Sequence, residues 1–325
     1  GRELYKQVES ADRLREPAID GITASLDSAI TAAADILSAS DNRKSQIENR
    51  KSAVAIVGSG RSSVEEQFLS RRLAEVTNAS VSLVSRTGES DGLLLTADRN
   101  PNVRGALIVG LISDLPKAGV RSALRADLGT NADKGGSPVR QAQGPEPVEG
   151  ESRPYLGGLE SLGAAIDAGT VKTVVSIGED LAAADIANAQ MAKVSIIYLG
   201  THANATSRAA KVVIPTLAVF ERSGSFVNQQ FRLQKFHKAV PGPAGATDDL
   251  AALASFVKAL AGTAQPATVE DVWTAMAAEI PMLANLKWGT ILPDGAQLEP
   301  GALASLPFCE GESLHYKPAK EAVTA

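Results

Sequence analysis

The chain has 325 residues, of which 44% are hydrophobic but only 4% aromatic, so it can bury a sizeable core made of small aliphatic side chains. Its formal net charge of -5, from 32 Lys and Arg against 37 Asp and Glu, argues against nucleic acid as a partner, because neutralising phosphates needs a clustered cationic excess. One cysteine, Cys309, excludes an internal disulfide and any iron–sulfur or Cys-rich zinc centre carried by this chain alone, and no apolar run approaches the roughly 18–20 residues of a bilayer span.

Residues 1–50 read as an N-terminal connector and a helix. Asp12-Arg13-Leu14-Arg15-Glu16-Pro17 has the composition of an exposed, turn-rich linker. Ser25-Leu26-Asp27-Ser28 can cap a helix that carries Leu26, Ile30, Ala33, Ala34 and Leu37 on one stripe.

Residues 51–128 read as a first Rossmann-like βα region. Ala53-Val54-Ala55-Ile56-Val57-Gly58 is a continuous apolar run that predicts a buried strand, ending in Gly58-Ser59-Gly60. Ser62 or Ser63 then opens an amphipathic helix with Val64, Phe68, Leu69, Leu73 and Val76 inward, and residues 80–85 predict a second strand. Position 63 is Ser where a dinucleotide fingerprint needs its third Gly, and Arg86 follows where an acidic residue would read the ribose. A strand-like triplet at 93–95 and a renewed apolar pattern from Val103 complete this region, with turn chemistry in Asn100-Pro101-Asn102 between them.

Residues 129–154 hold two isolated Val and no larger hydrophobe, which predicts a disordered surface insertion. Regular alternation resumes over 155–265: helix at 156–168, strand at 171–177, helix at 180–190, strand at 194–199, short helix at 203–210 and strand at 211–214. Such alternation predicts a parallel sheet with crossover helices. A helix opened by Thr247-Asp248-Asp249 runs to about residue 260, and residues 266–325 contribute one more helix, at 269–280, before an irregular tail.

No catalytic constellation is visible. His202, His237 and His315 are far apart and form no metal-ligand pair, Cys309 sits in an irregular stretch without an evident base, and neither a nucleophile elbow nor a phosphate loop with its Lys occurs. What does stand out is the polar segment after the strand at 211–214, with Glu221, Arg222, Ser223, Gly224, Asn228, Arg232 and Gln234, because ligands of open α/β sheets sit beyond the carboxyl ends of strands.

Val212-Val213-Ile214-Pro215, Glu221-Arg222-Ser223-Gly224-Ser225-Phe226-Val227-Asn228 and Arg232-Leu233-Gln234 resemble a segment shared by molybdopterin-dependent oxidoreductases and the large iron–sulfur G subunit of bacterial-type NADH–quinone oxidoreductase, complex I. Pro241-Gly242-Pro243 and Asp248-Asp249 fit the connector and helix start that follow it there. Arg2-Glu3-Leu4-Tyr5 with residues 12–17, and Asp98-Arg99-Asn100-Pro101-Asn102-Val103-Arg104-Gly105-Ala106, resemble further stretches of that family. The resemblance implies an α/β fold of mostly parallel Rossmann-like sheets flanked by helices, of the molybdopterin oxidoreductase domain II/III type. It implies iron–sulfur clusters upstream of this chain, other peripheral-arm subunits as partners without direct membrane insertion, and a place on the cytoplasmic side of a bacterial inner membrane or the mitochondrial matrix side.

Two departures bear on activity. The family's Glu-Gly before the Arg is Gln230-Phe231 here, a small residue turned into a bulky one, and no Cys occurs before Cys309 to serve as a molybdenum ligand. They imply that the molybdopterin is lost and that the chain is a scaffold, in which Glu221, Ser223, Gly224, Asn228 and Arg232 mark a vestigial pocket and Glu221, Asn228 and Arg232 hydrogen-bond the loop. An active formate-dehydrogenase-like enzyme and a nucleotide module using Gly58 and Gly60 are the alternatives.

Overall fold

The computed structural model of the chain describes residues 8–40, 53–88, 96–116, 120–121 and 159–308. The expected insertion at 129–154, the triplet at 93–95, residues 2–5, Cys309 and His315 lie outside them.

The first two strands form a hairpin. Strands β1 (Ala18–Ile19) and β2 (Ile22–Thr23) pair antiparallel across Asp20-Gly21, whose φ values of 48° and 77° give the left-handed two-residue turn that matches strand twist. Helix α1 (Leu26–Ser40) follows with Ala29, Ile30, Ala33, Ala34 and Leu37 buried on one stripe. Strand β3 (Val54–Ser59) is buried at every position, as a central strand covered on both faces must be. Ser63 caps α2 (Val64–Thr77) by accepting from the Glu66 amide while the Glu66 carboxylate accepts from the Ser63 amide at 2.6 Å, a reciprocal box that satisfies two of the helix's open donors.

Strand β4 (Ser80–Val84) returns beside β3, and β5 (Arg86–Thr87) leaves the sheet to pair in parallel with β6 (Val120–Arg121). The apolar run from Val103 is the short helix α3 (Val103–Ile108). Then come α4 (Glu160–Asp167), β7 (Thr173–Ile177), α5 (Asn188–Met191), β8 (Ser195–Gly200), α6 (Ala205–Ala209) and β9 (Val212–Pro215). A second antiparallel unit is made by β10 (Gly224–Val227), β11 (Arg232–Phe236) and, after α7 (Asp249–Ala261) and α8 (Val269–Glu279), β12 (Ala296–Gln297).

The main sheet runs β2-β1-β9-β8-β7-β3-β4. Its five strands from β4 to β9 are parallel, and the hairpin adds an antiparallel edge through Ala18 opposite Val213 and Ile19 opposite Val212. Strands from both βα regions therefore share one sheet, joined where β3 pairs with β7. Alternation along the strands divides the core. Val54, Ile56, Val175, Ile177, Ile197 and Leu199 pack beneath α1, α2 and α7, while Ala55, Val57, Val174 and Ile196 pack against α4 and Met191 on the other face. Helices on both faces of a mostly parallel sheet make the α/β architecture the sequence implies.

The helix expected at 180–190 forms only as the single turn α5, after a run of turns. The Asp180 carboxylate accepts from the Thr206 hydroxyl at 2.7 Å, that hydroxyl accepts from the Leu181 amide at 2.6 Å, and Asp185 adopts φ 67°, so local side-chain bonds replace the helical ladder.

Candidate functional site

The loop after β9 is not irregular throughout. A 3-10 turn at Val219–Glu221 leads into the β10–β11 hairpin, and the polar residues of this stretch point in different directions. Glu221 is buried and accepts from the Ala218 amide at 2.7 Å. It also pairs with Arg13, whose guanidinium donates to the carbonyls of Thr201 at 2.7 Å and Thr216 at 3.0 Å, just past β8 and β9. The 12–17 connector is thus not a solvated linker at Arg13: its charge lies in the core, neutralised by a residue 208 positions away in the chain.

Arg222 faces another way. It pairs with Glu66 of the capping box and lies 3.6 Å from Asp249, all three side chains being buried. Burial works to lower the Arg222 pKa, but the Glu66 and Asp249 carboxylates outweigh it and hold the guanidinium above its usual range. Burial pushes the Asp249 carboxyl up to about 7, with Arg222 opposing and the Glu66 charge adding to the rise.

Ser223 accepts from the Lys238 amide at 3.1 Å near the surface. A Cβ at Gly224 would stand 2.9 Å from the Phe236 ring and 3.1 Å from the Glu65 carboxylate, so any larger residue would have to displace those side chains. Glu65 is fully buried, and it accepts from the Ser225 hydroxyl and the Trp273 indole, each at 2.7 Å, which ties α2 to β10 and α8. Asn228 Oδ1 accepts from the amides of Gln230 at 2.9 Å and Arg232 at 3.0 Å and so fixes the hairpin turn, while Arg232 reaches away to the Asp294 carbonyl at 3.0 Å. The structure does not bring Glu221, Ser223, Gly224, Asn228 and Arg232 together around one space.

Taken in chain order, the parallel strands lie 2-1-3-4-5, which puts the topological switch point between β3 and β7. A ligand of such a sheet belongs at the carboxyl ends of those two strands. There, Glu179 is buried and its two carboxylate oxygens are taken by Arg86 as a bidentate pair, with Nη1 to Oε1 at 2.9 Å, and by the Ser59 hydroxyl. Arg61 Nη2 lies 3.6 Å from Oε2 with its side chain half-exposed. Asn100 locks the Arg86 backbone on both sides, accepting from its amide at 2.8 Å and donating to its carbonyl at 2.9 Å. A Cβ at Gly60 would come within 2.9 Å of Asn100 Oδ1.

Sequence reading did not select this cluster, because Ser59, Arg61, Arg86 and Glu179 sit on three separate strand ends. Its one local signal was Gly178-Glu179, an acidic residue straight after a buried strand. Tyr198, whose hydroxyl accepts from Asn204 at 2.8 Å, closes the neighbouring strand end; burial pushes its pKa up to about 12, helped by the Asp180 and Glu179 charges.

A molybdopterin nucleotide, the group the resemblance would bring to this fold, does not fit the residues at these strand ends. The oxygens of Glu179 hold the guanidinium and hydroxyl donors that its phosphates would need, and a carboxylate at that place repels an anion. Two open depressions, of about 520 and 580 Å³, lie elsewhere: one at the amino ends of β7 and β8 by Lys172, Lys193 and Lys211, the other beside the hairpin by Glu16, Asp20 and Arg208. Among the described residues no group of three or more His, Cys, Asp or Glu is placed to hold a metal ion.

Residues 131–259 match the family described as Molybdopterin oxidoreductase. A stretch of 91 residues is 30% identical to the G subunit of the NADH-quinone oxidoreductase of Rickettsia bellii (strain RML369-C), covering 28% of this chain and 13% of that protein. Another of 165 residues is 26% identical to "Putative formate dehydrogenase YrhE" of Bacillus subtilis (strain 168), covering 48% of this chain and 16% of that protein. The chain thus matches less than a fifth of the length of either relative. Among solved structures, the formyltransferase/hydrolase complex of Methylorubrum extorquens with methylofuran aligns at 13% identity and a TM-score of 0.36, over 76% of this chain and 99% of that one. Over residues 131–259 the chain is similar to molybdopterin oxidoreductases, and it has further likeness to a complex I subunit and to a protein named as a putative formate dehydrogenase.

Proposed function

We propose that this chain is a non-catalytic scaffold portion of a G-type subunit of an NADH–quinone oxidoreductase. It adds mass and interface, while electrons pass through iron–sulfur clusters held outside this segment. The observation that carries the reading is the Glu179 carboxylate seated at the switch point, with Arg86 and Ser59 as its donors. The similarity to the Rickettsia protein supports that complex, and the Gln230-Phe231 departure removes the small residue that a pterin pressed against the hairpin would require. Its neighbours in this reading are other peripheral-arm subunits, and its place is the cytoplasmic face of a bacterial inner membrane or the matrix face in a mitochondrion. No helix among the described residues is long and apolar enough to cross a membrane.

The test is elemental analysis of the purified chain together with pterin fluorescence after oxidation. Molybdenum and tungsten far below one equivalent, and no pterin signal, are the expected results. Stoichiometric molybdenum would sink the reading.

The longer similarity, to the protein named as a formate dehydrogenase, favours a second reading in which the chain belongs to an active molybdopterin enzyme. That reading needs Ser223, Asn228 and Arg232 to line one basic pocket. Instead Ser223 meets Lys238, Asn228 holds its own turn and Arg232 meets Asp294.

A further inference from the structure

We propose that the crevice between the carboxyl ends of β3 and β7 is an oxyanion site whose occupant is the chain's own Glu179 carboxylate. The inference rests on the reading of a cofactor-free scaffold and deepens it, by naming what fills the place of the ligand.

The donors are those a phosphate or sulfate would use. Arg86 presents two guanidinium N–H groups side by side, and Ser59 presents its hydroxyl from the last position of β3. Arg61, half-exposed, adds a second guanidinium with Nη2 3.6 Å from the carboxylate. Two guanidinium groups against one carboxylate leave an excess positive charge, which a dianion would cancel and a single carboxylate does not.

The loop is built to deliver Glu179 to this point. Gly178 turns the chain at φ 73°, a conformation open to glycine, and the Glu179 carbonyl is held by the Ser176 hydroxyl at 2.7 Å. Asn100 fixes the Arg86 backbone on both sides, so the root of the side chain stays in place whether or not Glu179 is there. The position is what ties this ion pair to ligand chemistry, because open α/β sheets bind their ligands outside the carboxyl ends of the strands at the switch point.

The experiment uses the full 325-residue chain. Thermal melting of wild type, Glu179→Ala and Glu179→Gln is followed as inorganic phosphate or pyrophosphate is added, with sodium chloride at matched ionic strength as the control. The wild type should show no shift beyond the control. Glu179→Ala should gain an anion-dependent rise in Tm of roughly 2–3 °C at about ten times the Kd, and adding Arg86→Ala should abolish that rise. If Glu179→Ala folds only in the presence of the anion, the inference is equally supported, and Glu179→Gln provides a variant of unchanged shape for the same titration. The inference is overturned if neither variant responds to the anion, if the wild type responds as strongly, or if neither variant folds at any anion concentration. Because the cofactor reading is decided by metal and pterin analysis of the wild type, either result can fail without the other.

Discussion

Arg222→Ala should destabilise the chain by about 3–5 kcal/mol, measured as a shift in the denaturant midpoint at unchanged slope. Among the described residues, its guanidinium is the cation that the structure places against two buried carboxylates, Glu66 and Asp249. Removing it strands both in a medium that solvates charge poorly, and this penalty outweighs the modest net value of the pair itself. The damage should spread, since Glu66 also caps α2 and Asp249 opens α7. Arg222→Lys should recover only part of the loss, because one ammonium cannot reproduce the planar contacts to two acids. A cost below about 1 kcal/mol for the alanine variant would mean that the carboxylates are hydrated and the cluster is not the buried network described.

The same cluster sets a pH dependence. The Asp249 carboxyl stands at about 7 in the folded chain against an ordinary 3.8, so the folded state holds its proton more tightly than the unfolded one. A group raised in this way contributes its full stability below about pH 4 and loses it as pH rises through about 7. Asp248 and Glu65, both raised chiefly by burial, act in the same direction. Asp249→Asn should therefore flatten the decline in stability between about pH 4 and 8 relative to wild type, read from denaturant midpoints across that range. An unchanged or steeper decline would show that Asp249 is ionised throughout.

The parts of the fold that could be read from the sequence are those where local pattern and tertiary role agree. The uninterrupted apolar run of β3, the Ser63 cap of α2 and the strands β7, β8 and β9 lie where periodicity places them, because a central parallel strand must be apolar on both faces. Asp20-Gly21 is a local hairpin signal of the same kind, lying just past the 12–17 stretch whose composition suggests a linker. What could not be read is what depends on strand order. Nothing local says that β7 lies beside β3, and without that neighbour the switch point has no position and Glu179 has no partners. Arg13 was hidden for a related reason. Among Asp12, Arg15 and Glu16 it has the look of one more solvated charge, and only Glu221 across the fold makes burial tolerable. The polar loop was rightly placed beyond β9, but its residues serve separate contacts because they are answered by different parts of the fold.

Phe231 gives the most direct test of how that loop has changed. It adopts φ 59°, a left-handed conformation that costs a residue with a Cβ roughly 1–2 kcal/mol, yet its ring is buried beside Phe308 at 6.0 Å and the Arg104 guanidinium at 5.3 Å. Packing therefore offsets strain at the position where the resembling family carries glycine. Phe231→Ala should lose the ring and keep the strain, at a cost of about 3–5 kcal/mol. Phe231→Gly loses the same ring but relieves the backbone, so it should be the milder variant by about 1 kcal/mol. Ordinarily glycine is the worse of the two by a similar amount, which makes the inversion decisive: if glycine destabilises more than alanine, the strain is absent. Phe231→Gly should also leave phosphate binding at its wild-type level, because Glu179 still occupies the switch point from the loop after β7. The ring and the carboxylate thus sit at two different places in the fold, and Phe231→Gly alters only the first of them.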